Sequence, residues 1–166
     1  MSTPPFSIVS FSREHPKNGF CCGSDILDRY FAERAGQDIK RNLARCFVAI
    51  DNELQSIAGY YTLSAAQIPL TDLPEQLAKK MPRYGAIPAS RIGRLAIDTR
   101  YQGQGFGSVL IADALKKSLD ASMGVYALLV DSKDDNATAF YQHHGFIPFP
   151  GKPQTLFLPL DTFSKL

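Results

Sequence analysis

The strongest constraint on this chain is one short run, Arg100-Tyr101-Gln102-Gly103-Gln104-Gly105-Phe106-Gly107-Ser108. It stands between a β-rich apolar stretch, Arg91 to Asp98, and a periodic apolar stretch that predicts a helix from about Gly105 to Ser122. Such a junction leaves the first amide N–H groups of the helix without intrahelical acceptors, and the helix dipole adds to their pull on an anion. Glycines at alternate positions let the main chain come close to a pyrophosphate and take conformations that β-carbons resist. The run lacks the lysine of a Gly-x4-Gly-Lys-Ser/Thr nucleotide loop. It also places Ser108 where the dinucleotide fingerprint requires a third glycine or alanine. Taken alone, it is either an anion-binding turn of another kind or a glycine-rich turn with no ligand.

The surrounding pattern is that of one mixed domain spanning 1–166, with no repeat and no Gly/Ser/Pro linker. Phe6 to Phe11 alternates as a strand. Ser24 is placed to cap a helix carrying Ile26, Leu27, Tyr30, Phe31 and Ala35, with a break expected near Gly36 and an end near Asn42. Arg45–Ile50 and Gln55–Leu63 read as a hairpin around Asp51-Asn52-Glu53. Pro69, Pro74, Pro82 and Pro88 then punctuate the chain, leaving room for a short helix at Glu75–Lys80. Strand Val125–Asp131, helix Asp135–His143, a stop at Gly145, and strands at Phe146–Phe149 and Thr155–Leu160 follow. Strands dominate early and strand–helix–strand units come later, which predicts an α/β (α+β) fold with a mixed central sheet flanked by helices.

Composition narrows the class further. At 166 residues with 45% hydrophobic content, the chain can bury a core without a metal or disulfide. No run approaches the ~18 apolar residues of a membrane helix, and no signal peptide is recognised, so a soluble cytoplasmic protein is expected. The three cysteines, Cys21, Cys22 and Cys46, form no Cys-x-x-Cys pair and read as small buried hydrophobes. Net charge is only +2, yet residues 29–45 carry an excess of three positive charges and residues 79–100 an excess of five. Segregated cations of this kind suit a polyanionic partner, although a solvated face explains them equally well.

Beyond these generalities, Arg100-x-x-Gly103-x-Gly105 resembles the pyrophosphate loop of the GNAT (GCN5-related) N-acetyltransferases. Asn136, Phe140-Tyr141 and Gly145-Phe146 follow in the order that family shows. The resemblance is closer to one branch, the GNAT toxins of type II toxin–antitoxin pairs that acetylate aminoacyl-tRNA. It extends through Phe20-Cys21-Cys22-Gly23, Leu27–Phe31, Gly59–Ser64, Gly93–Asp98, Asp113-Ala114-Leu115 and Leu156–Pro159. The doubled Cys21-Cys22 and the His143-His144 pair depart from the expected pattern.

The resemblance implies acetyl-CoA as cosubstrate and no metal. Leu95, Ala96 and Ile97 would offer main-chain contacts to pantetheine and an amide to the thioester oxygen. Arg100, Gln102, Gly103, Gln104, Gly105, Phe106, Gly107 and Ser108 would hold the pyrophosphate, with Asn136 and Phe140 as further contacts. Asn136 also suits a helix N-cap. Tyr141 would be the general acid for the CoA thiolate, since a phenol with a reference pKa near 10 keeps its proton at pH 7; hydrophobic filler is the alternative. No general base stands out, and an α-amine with a pKa of about 7.7–8.0 has little need of one.

Implied partners are aminoacyl-tRNA, a ribbon-helix-helix antitoxin and a second copy in a homodimer, with no membrane. The pair would act in translation inhibition and as a repressor. Arg34, Lys40, Arg41, Arg45, Lys79, Lys80, Arg83 and Arg91 are the candidate tRNA contacts. A GNAT acting on a small amine or a protein N-terminus, and a non-catalytic binding module, are the alternatives.

Overall fold

The computed structural model describes residues 5–15 and 19–163. Seven strands and five α-helices alternate along it: β1 (Phe6–Ser10), α1 (Asp25–Glu33), α2 (Ala35–Lys40), β2 (Arg45–Asp51), β3 (Ser56–Pro69), α3 (Glu75–Ala78), β4 (Ala86–Ile97), α4 (Phe106–Leu119), β5 (Ala127–Asp131), α5 (Asp135–His143), β6 (Ile147–Phe149) and β7 (Lys152–Pro159). The strand order is β1-β2-β3-β4-β5-β7-β6. β4 and β5 run parallel while β1–β2, β2–β3, β5–β7 and β6–β7 run antiparallel, so the sheet is mixed as expected.

The chain divides into two compact units, Met1–Ser64 with Gly93–Ala114, and Ala65–Ile92 with Leu115–Leu166. In the first, Phe11, Phe31, Val48, Ile57 and Tyr60 lie in the core with Ala96. Phe31 and Tyr60 stack with ring centroids 4.4 Å apart. Gly59 is required there by proximity: a β-carbon would stand 2.8 Å from Ile97 Cδ1 and 2.9 Å from the Ala96 carbonyl oxygen. In the second, Ile68, Leu73, Ile87, Leu129, Phe149 and Phe157 form the core.

Ser24 caps α1, accepting from the Leu27 N–H at 3.4 Å. The helix breaks at Arg34 rather than Gly36, because the Arg34 backbone closes α1 on the Tyr30 carbonyl and then begins α2, in which Gly36 is helical. β4 begins five residues before the expected Arg91 and contains Pro88, whose carbonyl still accepts from Tyr126 N–H at 2.9 Å. Proline removes a donor and leaves the acceptor, so the strand tolerates it there. The cysteine expectation holds for Cys46, which is buried; Cys22 is half-buried and Cys21 exposed. None of the described helices is long and apolar enough to cross a membrane.

Candidate active site

The parallel register of β4 with β5 ends at Ile92–Val130, and β4 continues to Ile97. Along that continuation the Arg94 N–H donates to the Thr62 hydroxyl at 3.0 Å, so a side chain meets a main-chain donor of the strand. Leu95 and Ile97 are half-buried and Ala96 is buried. Their side chains therefore contribute to packing, and the main chain of the segment is the part suited to hydrogen-bond a ligand.

The run after β4 is held at both ends. Asp98, with its carboxylate 1% exposed, accepts the N–H of Cys21 at 3.1 Å and that of Arg100 at 2.9 Å, and pairs with Arg100 Nε at 3.0 Å. Burial works against its ionisation, but the bonds from Arg100 and Cys21 outweigh it and hold the carboxyl below the usual range. The Tyr101 hydroxyl donates to Asp51 Oδ2 at 2.6 Å and lies 2.8 Å from Ser56 Oγ. That bond, opposed by burial and helped by the Leu54 and Glu53 N–H groups, lowers Asp51 as well. Tyr101 and Phe106 both pack edge-on to Phe6, with centroids 6.0 and 4.7 Å from it.

Between those anchors, Gly103 and Gly105 take φ of +79° and +86°, with open space where their side chains would be. Neither glycine is needed for tight packing, so conformation is what selects them. Gly105 precedes α4, accepts its first bond from Val109 N–H at 3.2 Å, and brings no side-chain oxygen to the first-turn amides. Positive φ, open space and a helix that starts directly after a glycine fit the demands of a bound pyrophosphate. The side chain of Gln102 braces the loop, donating to the Ile97 and Cys22 carbonyls at 2.8 Å each. Arg100 likewise is engaged with Asp98, although it stays largely exposed. Sequence patterning carries no signal for either brace.

Leu95–Ile97 and Arg100–Ser108 belong to the first unit; Asn136, Phe140 and Tyr141 belong to the second. There, Asp134 caps α5 by accepting from Ala137 N–H at 2.8 Å. Asn136 is exposed inside the first turn, so the capping alternative for it is overturned. Tyr141 sits at the other end, inside a Schellman cap. The Phe146 N–H reaches the Tyr141 carbonyl at 3.1 Å, the Gly145 N–H reaches Gln142 at 3.0 Å, and Gly145 has φ of +93°. The same cap packs Phe146 against the Tyr141 ring, 5.6 Å between centroids. The Tyr141 residue is 8% exposed. Its hydroxyl has no hydrogen bond among the described residues, and no fully buried polar side-chain atom there is unsatisfied. The hydroxyl therefore reaches the surface. Burial, then the charge of Asp131, pushes its pKa up to about 12.

Among the basic candidates, Lys79 pairs with Glu75 and Arg91 with Asp131. Arg34, Lys40, Arg41, Arg45, Lys80 and Arg83 are exposed and make no ion pair among the described residues. No group of three or more His, Cys, Asp or Glu among those residues could hold a metal.

A family model described as an acetyltransferase (GNAT) domain matches residues 42–148. Over 161 residues the chain is 30% identical to a Sinorhizobium fredii protein described as probable toxin TacT, covering 92% of this chain and 89% of that one. It is 34% identical over 141 residues to a tRNA-acetylating toxin of Mycobacterium tuberculosis, covering 84% and 82%. Among solved structures, AtaT complexed with acetyl-methionyl-tRNAfMet superposes with a TM-score of 0.89 at 29% identity, covering 95% of this chain and 96% of that one. A Tyr-to-Phe mutant of AtaT, bound to the C-terminus of the antitoxin AtaR and acetyl-CoA, gives 0.78 at 25%, covering 95% and 94%.

Proposed function

The chain belongs to the GNAT acetyltransferase family, and from that premise we propose that it is the toxin of a type II toxin–antitoxin pair that acetylates the α-amine of aminoacyl-tRNA. The observation that carries the reading is its likeness, over nearly the whole chain, to AtaT in complex with acetyl-methionyl-tRNA. The loop supports it independently, because its glycine conformations and the start of α4 suit a pyrophosphate.

In this reading acetyl-CoA supplies an activated acetyl thioester. Main-chain groups of Leu95–Ile97 align it, and one amide of the three faces the thioester oxygen, where negative charge develops as the amine attacks. Amides from Gln102 to Ser108 hold the pyrophosphate, with Arg100 offering the donors that Asp98 leaves unused. Asn136 and Phe140 line the pantetheine. The Tyr141 hydroxyl gives its proton to the departing sulfur; a pKa near 12 keeps it protonated at every pH at which the amine is reactive. The α-amine attacks as its neutral form, which is a good fraction near pH 7. As the C–N bond forms and the C–S bond breaks, the proton lost by the nitrogen passes to solvent and the Tyr141 phenolate takes one back from solvent.

The exposed cations Arg34, Lys40, Arg41, Arg45, Lys80 and Arg83 would meet phosphates, giving binding that weakens steeply with salt. The reading keeps 1–166 as one acetyltransferase domain acting in the cytoplasm as a homodimer, restrained by a ribbon-helix-helix antitoxin. The test supplies labelled acetyl-CoA with charged and with deacylated tRNA. Label on the charged pool alone, released when the aminoacyl ester is hydrolysed, supports the reading. Label on neither pool, with CoA still bound, redirects it to a small amine or a protein N-terminus.

A further inference from the structure

Arg94 is exposed on β4, one residue before the Leu95–Ile97 segment. Its guanidinium lies over the Tyr30 ring, 3.7 Å from the centroid. Tyr30 is a rigid platform: it is 5% exposed, its hydroxyl donates to Asp38 at 2.7 Å, and its ring stacks on Tyr60 at an interplanar angle of 19°. The Arg94 main chain is fixed too, through its N–H on the Thr62 hydroxyl at 3.0 Å. Gly93 permits that closeness, because a β-carbon there would stand 3.0 Å from the same oxygen.

A guanidinium stacked face-on keeps its N–H donors at its edge, turned away from the ring. The Arg94 side chain makes no hydrogen bond or ion pair among the described residues, so the fork is held in place and no described residue occupies it. Side-chain ordering is the usual cost of a phosphate contact by arginine, and the Tyr30 platform has already met it.

The fork is placed for the acceptor rather than for CoA. At about 3.3 Å per residue, Arg94 lies about 10 Å back along β4 from Ile97, on the side away from the pyrophosphate loop. The acceptor amine has to reach the Leu95–Ile97 amides, and the nearest phosphate of an aminoacylated RNA is the one just upstream of its terminal ribose. We propose that Arg94, stacked on Tyr30, is a phosphate-binding subsite for the 3′ end of the acceptor RNA. The proposal rests on the aminoacyl-tRNA reading above and deepens it.

The experiment compares wild type, Arg94→Gln and Arg94→Lys on one charged tRNA, and measures KM separately for tRNA and for acetyl-CoA. Arg94→Gln raises the KM for tRNA at least about tenfold, leaves that for acetyl-CoA within twofold, and lowers the slope of log affinity against log salt by about one. Arg94→Lys keeps the charge without the flat fork and restores only part of the loss. A charged minihelix made of the acceptor stem alone shows the same effect. An unchanged KM for tRNA, a parallel rise for acetyl-CoA, or full rescue by lysine overturns the proposal. Wild type that acetylates no charged tRNA defeats the parent reading instead.

Discussion

Replacing Gly59 with alanine probes how closely β3 and β4 approach beneath the segment assigned to the thioester. The new methyl would stand 2.8 Å from Ile97 Cδ1, 3.4 Å from Leu110 Cδ1 and 2.9 Å from the Ala96 carbonyl oxygen. The first two contacts involve the ends of flexible side chains and can relax. The third is main chain in the sheet and can move only by shifting β4. Overpacking of this kind costs about 1–3 kcal/mol, and the ordinary gain of alanine over glycine within a strand returns roughly 0.5–1 kcal/mol. A net loss of roughly 0–2.5 kcal/mol is expected, against a gain in the control below. Gly36 is the control: it is helical, and no atom lies within 4 Å of where its β-carbon would be. Gly36→Ala should stabilise by about 0.5–1 kcal/mol. Urea unfolding of both variants measures the two signs from midpoints at unchanged m. A shift of the Ala96 carbonyl also predicts a raised KM for acetyl-CoA in Gly59→Ala alone. If Gly59→Ala proves as stable as Gly36→Ala with an unaltered KM, the Ala96 carbonyl does not confine position 59 to glycine.

Three further substitutions test the loop braces and the proton donor. Tyr101→Phe strips Asp51 of its shortest bond and should cost about 1–2 kcal/mol, with the Asp51 carboxyl titrating higher by NMR. Asp98 has a depressed pKa, so its contribution is present above the unfolded value near 3.9 and is lost as pH falls through the folded one. Asp98→Asn should therefore be less stable than wild type at pH 7, with the gap between their unfolding midpoints closing below about pH 4, and its KM for acetyl-CoA should rise. Tyr141→Phe keeps the ring on Phe146 and loses only the hydroxyl, so kcat should drop by about 10²–10⁴ while equilibrium CoA binding is unchanged. With Tyr141 raised from 10 to about 12, its share of stability holds below pH 10 and fades towards 12. Wild-type kcat/KM should accordingly rise through the amine pKa and show no basic limb from Tyr141 below that range.

Local chemistry makes much of this molecule legible in its sequence. The φ of +93° at Gly145, the Ser24 cap and the Gly103–Gly105 pair are backbone demands that few residues satisfy, so the residues announce them. The limits of α5, Asp135–His143, follow from that stop and from the acidic residues at its start. Features that depend on pairing are not legible in the same way. Pro88 reads as a break, yet it lies inside β4 where only its carbonyl is used. Asn136 looks like a cap, but Asp134 takes that position two residues earlier. The roles of Asp98 and Gln102 depend on Cys21 and Cys22, far away in sequence. Within Gly93-Arg94-Leu95, nothing local sets Arg94 apart from the other cations of its block, because its Tyr30 platform is made only by folding.

In the proposed reaction the acetyl group goes to the α-nitrogen of the amino acid on charged tRNA. Its most direct test is nuclease digestion of the reacted tRNA, followed by mass-spectrometric identification of the aminoacyl-adenosine released from the 3′ end. Wild type should yield N-acetyl-aminoacyl-adenosine, and Tyr141→Phe the unmodified species. Acetyl found on the ribose, on an internal nucleoside or on a protein amine would contradict it.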